Sequence, residues 1–324
     1  MGNELILIDA SWVIHRMHHV HHMLGVNLKN GQYLQTGHLY GTARLIKSLT
    51  ENYSDADIIF CLDGMATHGK TLDVNYKADR AHGTVKHAFD DLGAVVEMLS
   101  CYPQVKIAFH RHLEADEIMS YLADFHKKDY KQIIIYSGDC DMVQLISDNV
   151  FVSTTFDKGR LILVGEKEYQ EQEKYTDKFV GCRLDVLPLF RAMVGDSSDN
   201  LAGFPKMRKK LAKELAEEFG GLQELSVAST TSTKFPHGFL EFLPKLRTNY
   251  AIMKLPTVAE LSARGHIPLV YKQDDHRLGL KLFSLYRIKS TSPVPVVELS
   301  PDEEDKILVM RDQVNEQWKH PNSK

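Results

Sequence analysis

The segment QIIIYSGDCD, at residues 132–141, decides the fold class. It is a short apolar run that leads into a polar turn with two acids, Asp139 and Asp141. Three earlier segments have the same form: ELILID at 4–9, ADIIFCLD at 56–63 and QVKIAFH at 104–110. Runs of this length, rich in Ile, Val and Phe, are typical of strands in a buried, mostly parallel sheet.

Segments with helical periodicity separate these runs. They are GHLYGTARLIKSL at 37–49, VKHAFDDLGAVVEMLSCY at 85–102 and EADEIMSYLADFHKK at 114–128. Strands that alternate with helices predict an α/β fold with a mostly parallel central sheet flanked by helices. The segment VFVSTTFDKGRLILV, at 150–164, predicts a hairpin around Asp157 to Gly159, and the pattern is mainly helical from Leu184 onward.

Composition indicates a globular protein of one large domain or two. Of 324 residues, 43% are hydrophobic and 25% charged, and no apolar run reaches the length of a membrane span. The first residues do not have the pattern of a secretory signal, and the four cysteines are far apart and form no CxxC pair: Cys61, Cys101, Cys140 and Cys182. We therefore expect reduced thiols, a cytoplasmic location and no association with a membrane.

The net charge of −4 argues weakly against nucleic-acid binding, but the charges are unevenly distributed. The stretch KMRKKLAK, at 206–213, contains no acid, and basic residues recur between 68 and 87. Each stretch alone would also fit a solvated helix face. Together with acids that cluster elsewhere, they indicate a surface that binds phosphates.

Acids recur where the predicted strands end. Asp9 follows the first strand, Asp63 the second, and Asp139 and Asp141 the fourth, while Glu114, Asp116 and Glu117 come soon after the third. A single acid here is more simply a helix cap or a solvated carboxylate. Several at one sheet edge repel each other, and binding cations relieves that repulsion; an all-oxygen set suits Mg²⁺ or Mn²⁺.

Two acidic pairs have spacings that predict shared faces. If the chain is extended at Asp139 and Asp141, both side chains lie on one side and are able to bind one ion or two neighbouring ions. Asp196 and Asp199 are spaced to share one face of a helix or tight turn. The basic run at 206–213 follows almost at once, which predicts metals on one side of this element and phosphates on the other.

The ordered set of motifs resembles the 5′-nuclease superfamily, which includes bacteriophage 5′→3′ exonucleases, flap endonucleases and the 5′-nuclease domain of bacterial polymerase I enzymes. The resemblance runs from about residue 4 to about residue 256, in the family's order: LILIDAS, FCLDG, NYKADR, LEADEI, SGDCDMVQL, GDSSDNLAGFP and LRTNYAIMKLP. It implies a PIN-like fold with a helical arch and a helix-hairpin-helix-like (H3TH) module. The helix face of Leu211, Leu215 and Phe219, ended by two glycines, independently predicts a helix in that module.

The resemblance assigns roles by position. Acids that match the family's metal site are Asp9, Asp63, Glu114, Asp116, Asp139, Asp141, Asp196 and Asp199. Glu117 stands where many phage members have Asp, and its longer side chain is able to replace direct ligation by ligation through water. Residues that match the nucleic-acid-binding set are Arg16, Tyr76, Lys77, Arg80 and Arg191, of which Lys77 and Arg80 are implied to be catalytic at the scissile phosphate.

One motif departs from the family pattern. The hairpin usually reads G-V-P-G-I-G-x-K, but here it is GFPKMRKK at 203–210, so Lys206 and Arg208 replace two glycines. Glycine permits a positive φ and close approach of the backbone to phosphate. The K⁺ ion that relatives bind in this hairpin is therefore uncertain here. We expect the basic side chains of Lys206, Arg208, Lys209 and Lys210 to contact duplex phosphates.

These observations predict a structure-specific 5′ nuclease, a 5′→3′ exonuclease or flap endonuclease, that hydrolyses DNA by a two-metal-ion mechanism with Mg²⁺, or Mn²⁺. Expected substrates are DNA with 5′ ends or flaps and RNA primers in RNA–DNA hybrids. Two alternatives are a PIN-type single-strand ribonuclease and a catalytically dead nuclease fold that binds nucleic acid. The segments 65–100 and 196–219 argue against the first, and the retained acids argue against the second.

The predicted organisation has three parts: a catalytic α/β domain at 1–183 with an arch at about 65–100, a helical H3TH region at 184–256, and a mainly helical extension at 257–324 whose end is expected to be disordered. The extension is predicted to pack on the body, with partner binding as the alternative. Absence of a polymerase domain implies a free-standing nuclease, as in phage members. We expect a monomer that acts in DNA replication, with replication proteins as possible partners.

The stretch HRMHHVHH, at 15–22, contains five histidines. His15, His18, His19 and His22 are spaced to share a helical face, a pattern that suits Zn²⁺. Because the carboxylates already account for the chemistry, we interpret these histidines as lining beside the nucleic acid. Their contribution to DNA affinity should then grow as the pH falls towards their pKa.

Overall fold

A computed structural model describes residues 2–65, 67–78, 89–293 and 295–319. A six-stranded sheet forms the centre, with the strand order β12-β5-β4-β1-β6-β7. Neighbouring strands from β5 to β7 in that order are parallel, and β12 pairs antiparallel with β5 at one edge. The strands are β1 (Gly2–Asp9), β2 (Gly25–Asn27), β3 (Tyr33–Gln35), β4 (Asp57–Cys61), β5 (Val105–Phe109), β6 (Tyr130–Tyr136), β7 (Val150–Ser153), β8 (Phe156–Asp157), β9 (Arg160–Leu161), β10 (Gly195–Asp196), β11 (Leu201–Ala202) and β12 (Leu269–Tyr271).

Helices cover both faces of the sheet and form the second half of the chain. They are α1 (Ala10–Val20), α2 (Gly37–Asn52), α3 (Thr67–Leu72), α4 (Leu92–Ser100), α5 (Ala115–His126), α6 (Glu166–Glu171), α7 (Glu173–Phe179), α8 (Leu187–Val194), α9 (Lys209–Phe219), α10 (Leu222–Ala228), α11 (Phe239–Met253), α12 (Val258–Ala263), α13 (Arg277–Leu285) and α14 (Pro301–Lys319). Short 3-10 helices span Cys140–Leu145, Leu184–Val186 and Ser197–Asp199.

The central strand β1 shows why the sheet is buried on both sides. Leu5, Ile6, Leu7 and Ile8 are all completely buried. Leu5 and Leu7 pack into the core on one face of the sheet, whereas Ile6 and Ile8 pack into the core on the other. Successive side chains of a strand point to opposite faces, so an unbroken apolar run fits a strand with helices on both sides.

The helical module follows the sheet domain and shares its core. Helices α8 and α9 flank the small hairpin of β10 and β11, which pairs Asp196 with Leu201. Leu187 and Phe190 of α8 and Leu215 of α9 belong to the same core cluster as β1. Helix α9 ends at Gly220, which has φ +71°, as the sequence predicted. Its buried residues are Ala212, Leu215 and Ala216, and the predicted face is confirmed, since Leu211 and Phe219 pack partly buried against the same core.

The C-terminal segment packs on the body. Strand β12 extends the central sheet, and α14 packs against α4. The side chain of Asn315 accepts a hydrogen bond from the Ala94 backbone at 2.9 Å and donates one to Asp91 at 3.0 Å. This segment is mainly helical, as expected, while residues 320–324 lie outside the described residues.

The predicted α/β fold with a mostly parallel sheet is confirmed. All four apolar runs form strands of the central sheet, and the hairpin around Asp157 to Gly159 is formed by β8 and β9. Of the predicted helix at 85–102, residues 92–100 are helical, and the part from 85 to 88 is not described. Among the described helices, none is both long and apolar enough to cross a membrane.

Candidate active site

Acids stand where strands or short connections turn into helices, and several of them cap the helix that follows. Asp9 is the N-cap of α1 and accepts a hydrogen bond from the Trp12 backbone at 2.9 Å. Glu114 caps α5, and Asp139 and Asp196 cap the 3-10 helices Cys140–Leu145 and Ser197–Asp199. A capping role and a place in the site therefore coincide in these acids.

We call the first group the inner acids. They lie at the carboxyl edge of the sheet and at the start of α5, and their members are Asp9, Asp63, Glu114, Asp116, Glu117 and Asp139. Asp63 accepts a hydrogen bond from the Ala115 backbone at 2.7 Å, which joins the end of β4 to α5. Glu117 accepts one from the Glu114 backbone at 3.0 Å, so its carboxylate closes the capping box of α5.

Two serines that the sequence analysis missed orient the inner acids. The buried Ser137 hydroxyl donates to Asp9 Oδ2 at 2.7 Å and accepts from the Asp139 backbone at 3.1 Å, so it joins two acids. The Ser11 hydroxyl donates to Asp63. Their only sequence signal is a small hydroxyl residue beside a strand-end acid, in IDAS and YSGD.

Burial disfavours the negative charge of three inner acids, Asp9, Asp116 and Glu117. Burial, followed by the charge of Asp63, raises the pKa of Asp9 to about 7. Burial, followed by the charge of Glu114, raises the pKa of Asp116. Burial, and also the charge of Glu114, raises the pKa of Glu117 to about 7. A cation bound among these oxygens would stabilise the ionised carboxylates and so lower these pKa values.

We call the second group, Asp141, Asp196 and Asp199, the outer acids. The Arg191 guanidinium of α8 forms ion pairs with both Asp141 and Asp196. Burial by itself raises the pKa of Asp196, but hydrogen bonds from Ser198 and the charge of Arg191 outweigh it and lower this pKa below its ordinary value. Two of the outer acids, Asp141 and Asp196, thus share one cationic partner within the fold.

Two predictions about these residues are wrong. Asp139 and Asp141 do not lie on an extended segment, because Asp139 caps a 3-10 helix that contains Asp141. The Asp139 side chain accepts from the Asp141 backbone at 2.8 Å, while the Asp141 side chain pairs with Arg191. Arg191 itself is 4% exposed, so it has no free surface for the nucleic-acid contact that was expected.

Tyr76 and Lys77, which follow α3, both contact an inner acid. The Tyr76 hydroxyl donates to Glu114 Oε2 at 3.1 Å, and the Lys77 ammonium forms an ion pair with the same carboxylate. The backbone of Lys77, at φ +56°, also donates to the Asp199 carbonyl at 3.0 Å. Lys77 therefore lies beside an inner acid, and its role at the scissile phosphate stays a prediction.

In this conformation Tyr76 is 6% exposed, with its ring close to Gly69. It is not arranged to stack on a base, contrary to expectation, and such stacking requires the ring to move. Arg80, together with the arch residues from 79 to 88, lies outside the described residues.

The basic hairpin is on the surface. Lys206, Arg208, Lys209 and Lys210 are all exposed. Lys206 has φ +59°, so the backbone keeps the left-handed conformation that glycine usually provides, at some cost in strain. Arg208 has φ −79° and begins α9 as its N-cap. Arg16, the remaining predicted phosphate contact, is half-buried, donates to the Thr154 carbonyl at 2.7 Å and lies 5.1 Å from the centre of the Trp12 ring.

The donor set fits divalent cations in its chemistry, since the inner acids provide only carboxylate oxygens, and the pKa values of Asp9, Asp116 and Glu117 are raised. Over the described ranges, however, no three His, Cys, Asp or Glu side chains are gathered around one point. The basic side chains of Lys77 and Arg191 form ion pairs with carboxylates of the set, Glu114 and Asp196. Cation binding therefore requires these basic side chains and some carboxylates to reorient.

Comparison with known proteins agrees with this arrangement. The family described as 5′-3′ exonuclease, N-terminal resolvase-like domain, matches residues 4–179. A 5′-3′ exonuclease of Mycoplasmopsis pulmonis is 30% identical over 226 residues, which are 69% of this chain and 69% of that protein. A 5′-3′ exonuclease of Buchnera aphidicola is 28% identical over 225 residues, 68% of this chain and 72% of that protein.

Longer proteins and solved structures match as well. DNA polymerase I of Bacillus subtilis is 25% identical over 267 residues, which are 81% of this chain but 29% of the polymerase. The fold is similar to that of the T5 5′-exonuclease with bound zinc, with a TM-score of 0.60, 15% identity and coverage of 97% of this chain and 100% of that one. The bacteriophage T5 flap endonuclease in complex with DNA and metal ions gives a TM-score of 0.59 at 15% identity, with the same coverage.

The family match at residues 4–179 includes most of β1, the strands from β2 to β9, α5 and the acids from Asp9 to Asp141. The two exonucleases match this chain as well. The chain therefore belongs to the 5′-3′ exonuclease family and is a 5′ nuclease that acts on DNA.

Proposed function

We propose that this nuclease is structure-specific, cuts at 5′ ends and 5′ flaps, and uses two divalent cations, of which Mg²⁺ is the preferred one. The observation that carries the proposal is the set of inner acids, in which burial and neighbouring carboxylates raise the pKa values of Asp9, Asp116 and Glu117. When bound, the cations stabilise the attacking and leaving oxygens of an in-line displacement at phosphorus.

The chain's own residues have distinct tasks in this proposal. The inner acids hold the more tightly bound cation, and the outer acids take part in holding the second one once Arg191 moves aside. Ser137 and Ser11 keep Asp9 and Asp63 oriented through their hydrogen bonds. The Lys77 ammonium pairs with Glu114 in the free protein and moves to contact the scissile phosphate when substrate binds. The Arg80 guanidinium contacts the same phosphate. Positive charge at that phosphate stabilises the negative charge that develops in the transition state.

The basic hairpin binds the duplex part of the DNA at a distance from the bond that is cut. The exposed basic side chains Lys206, Arg208, Lys209 and Lys210 contact phosphates on one strand without reading sequence. In the T5 flap endonuclease complex, DNA and metal ions are present together, which supports binding of both here. RNA in RNA–DNA hybrids is a further proposed substrate, since phosphate contacts do not depend on the sugar.

The test uses purified protein, Mg²⁺, a 5′-labelled flap substrate and a blunt duplex of the same sequence. We expect faster cleavage of the flap, near the junction, and none in EDTA. If folded protein cuts neither substrate, the proposed activity is refuted; equal cutting of both refutes structure specificity alone.

A further inference from the structure

The histidines near the start of the chain form a cluster that the carboxylate centre does not use. His15, His18 and His19 lie on α1, whereas His21 and His22 follow its end, so the predicted helical face does not extend to His22. His15 and His19 are exposed, and they are one helical turn apart on the same face.

The two rings are close without being tied to other groups. The ring centres of His15 and His19 are 4.5 Å apart, with their planes inclined at 62°. Across the described parts of the chain, the contacts of these rings are with other imidazoles, and no hydrogen bond engages either ring. Their nitrogen atoms are therefore available to a ligand.

The separation of the rings suits one shared metal ion. With metal–nitrogen bonds of about 2.0–2.1 Å, two imidazoles at a right angle around an ion have ring centres about 4.5 Å apart, and at a tetrahedral angle about 5.2 Å apart. The observed 4.5 Å matches the first arrangement.

The protonation state is also suitable. Burial, followed by the electrostatic influence of the neighbouring His19, lowers the pKa of His15 below its ordinary value. His15 is therefore neutral at pH 7 and has a lone pair to offer. Neutral imidazole prefers Zn²⁺, Ni²⁺ and Cu²⁺ to Mg²⁺, which favours carboxylate oxygens.

We propose that His15 and His19 chelate one divalent transition-metal ion of this class, at a site on α1 that is separate from the carboxylate centre. Two imidazoles supply the protein ligands, since no third His, Cys, Asp or Glu converges on them among the described residues. Water fills the other positions. Pairs of histidines one turn apart on a helix are a known arrangement for binding metal.

Calorimetric titration of the 324-residue chain with NiCl₂, in excess Mg²⁺ so that the carboxylates are occupied, tests the proposal. We expect one Ni²⁺ to bind, and its binding to be lost in the His15→Gln/His19→Gln variant. The control variant His22→Gln/His237→Gln removes one nearby and one distant exposed histidine and should bind Ni²⁺ as the wild type does. Circular dichroism verifies that each variant is folded.

A measurement on the unaltered chain gives independent support. Paramagnetic Ni²⁺ should broaden the imidazole proton signals of His15 and His19 before those of His237. Absence of Ni²⁺ binding by the wild type overturns the proposal, as does undiminished binding by His15→Gln/His19→Gln. Loss of Ni²⁺ binding in Asp139→Asn, with the two histidines intact, would place the ion at the carboxylates and equally overturn it.

Discussion

The inner and outer acids use the same kind of side chain in two ways. Among the inner acids, Asp9 and Asp116 have raised pKa values because burial and neighbouring carboxylates disfavour their charge. Among the outer acids, the pKa of Asp196 is lowered, since Ser198 and Arg191 stabilise its charge. A bound cation would therefore stabilise the charges of Asp9 and Asp116, whereas Asp141 and Asp196 already pair with Arg191 within the fold.

The largest expected effect is on the chemistry at the inner acids. Asp139→Asn keeps the shape of the side chain but removes one negative charge, so we expect single-turnover cleavage of a 5′ flap in Mg²⁺ to slow by about a thousandfold or more. DNA affinity, measured by fluorescence anisotropy, should change little. Full cleavage activity in this variant would remove Asp139 from the metal site.

Replacement of Lys77 tests whether its ammonium, which pairs with Glu114 in the free protein, acts at the scissile phosphate during cleavage. Lys77→Ala breaks the ion pair with Glu114, and we expect the single-turnover rate to fall by about a hundredfold, with a weaker effect on DNA affinity. Lys70→Ala, an exposed lysine on α3, is the matched control and should cut at nearly the normal rate. An unchanged rate in Lys77→Ala would exclude Lys77 from catalysis.

Arg191 tests whether the outer acids are neutralised internally. Arg191→Met leaves the carboxylates of Asp141 and Asp196 without their buried partner, so we expect the free energy of unfolding in urea to fall by about 3–5 kcal/mol. Adding Asp141→Asn and Asp196→Asn should restore part of this loss. The exposed pair of Arg183 and Asp185 is the control, since Arg183→Met should cost less than about 1 kcal/mol.

If Arg191→Met is as mild as Arg183→Met, the outer acids do not depend on Arg191. The contrast between the two groups would then disappear.

The pH dependence of stability tests whether the negative charge of an inner acid, Asp9, destabilises the folded protein. The pKa of Asp9 is raised from 3.8 to about 7, so its contribution to stability is full below about pH 4 and is lost as the pH rises through 7. In EDTA at pH 8, Asp9→Asn should therefore be more stable than the wild type, by on the order of 1 kcal/mol or more. The difference should shrink towards pH 4, and a difference that does not vary with pH argues against the raised pKa.

The smallest effect is expected in the hairpin that follows the outer acids. Lys206 has φ +59°, so Lys206→Gly should relieve strain and stabilise the fold by up to about 1 kcal/mol in thermal unfolding. Arg208→Gly is the matched control. Since Arg208 has φ −79°, glycine there gains nothing and should destabilise slightly. The reverse ranking would mean that the strain lies elsewhere in the loop.

The sheet and its acids were predictable because both follow from local sequence. Apolar runs such as ELILI mark a strand buried on two faces, and each strand-end acid is adjacent to its run. The pairing of Arg191 with Asp141 was not predictable, since it joins residues 50 positions apart through the packing of α8. The burial of Tyr76 against Gly69 is likewise a tertiary contact without a periodic signal.

Titration of the DNA-free protein with Mn²⁺, followed by electron paramagnetic resonance, tests the central claim most directly, because Mn²⁺ favours carboxylate oxygens. The account predicts that Asp9→Asn abolishes the tightest Mn²⁺ binding, whereas Asp196→Asn leaves it nearly unchanged, since Asp196 is already paired with Arg191. Equal loss in both variants, or retention of tight binding in Asp9→Asn, would contradict the division into inner and outer acids.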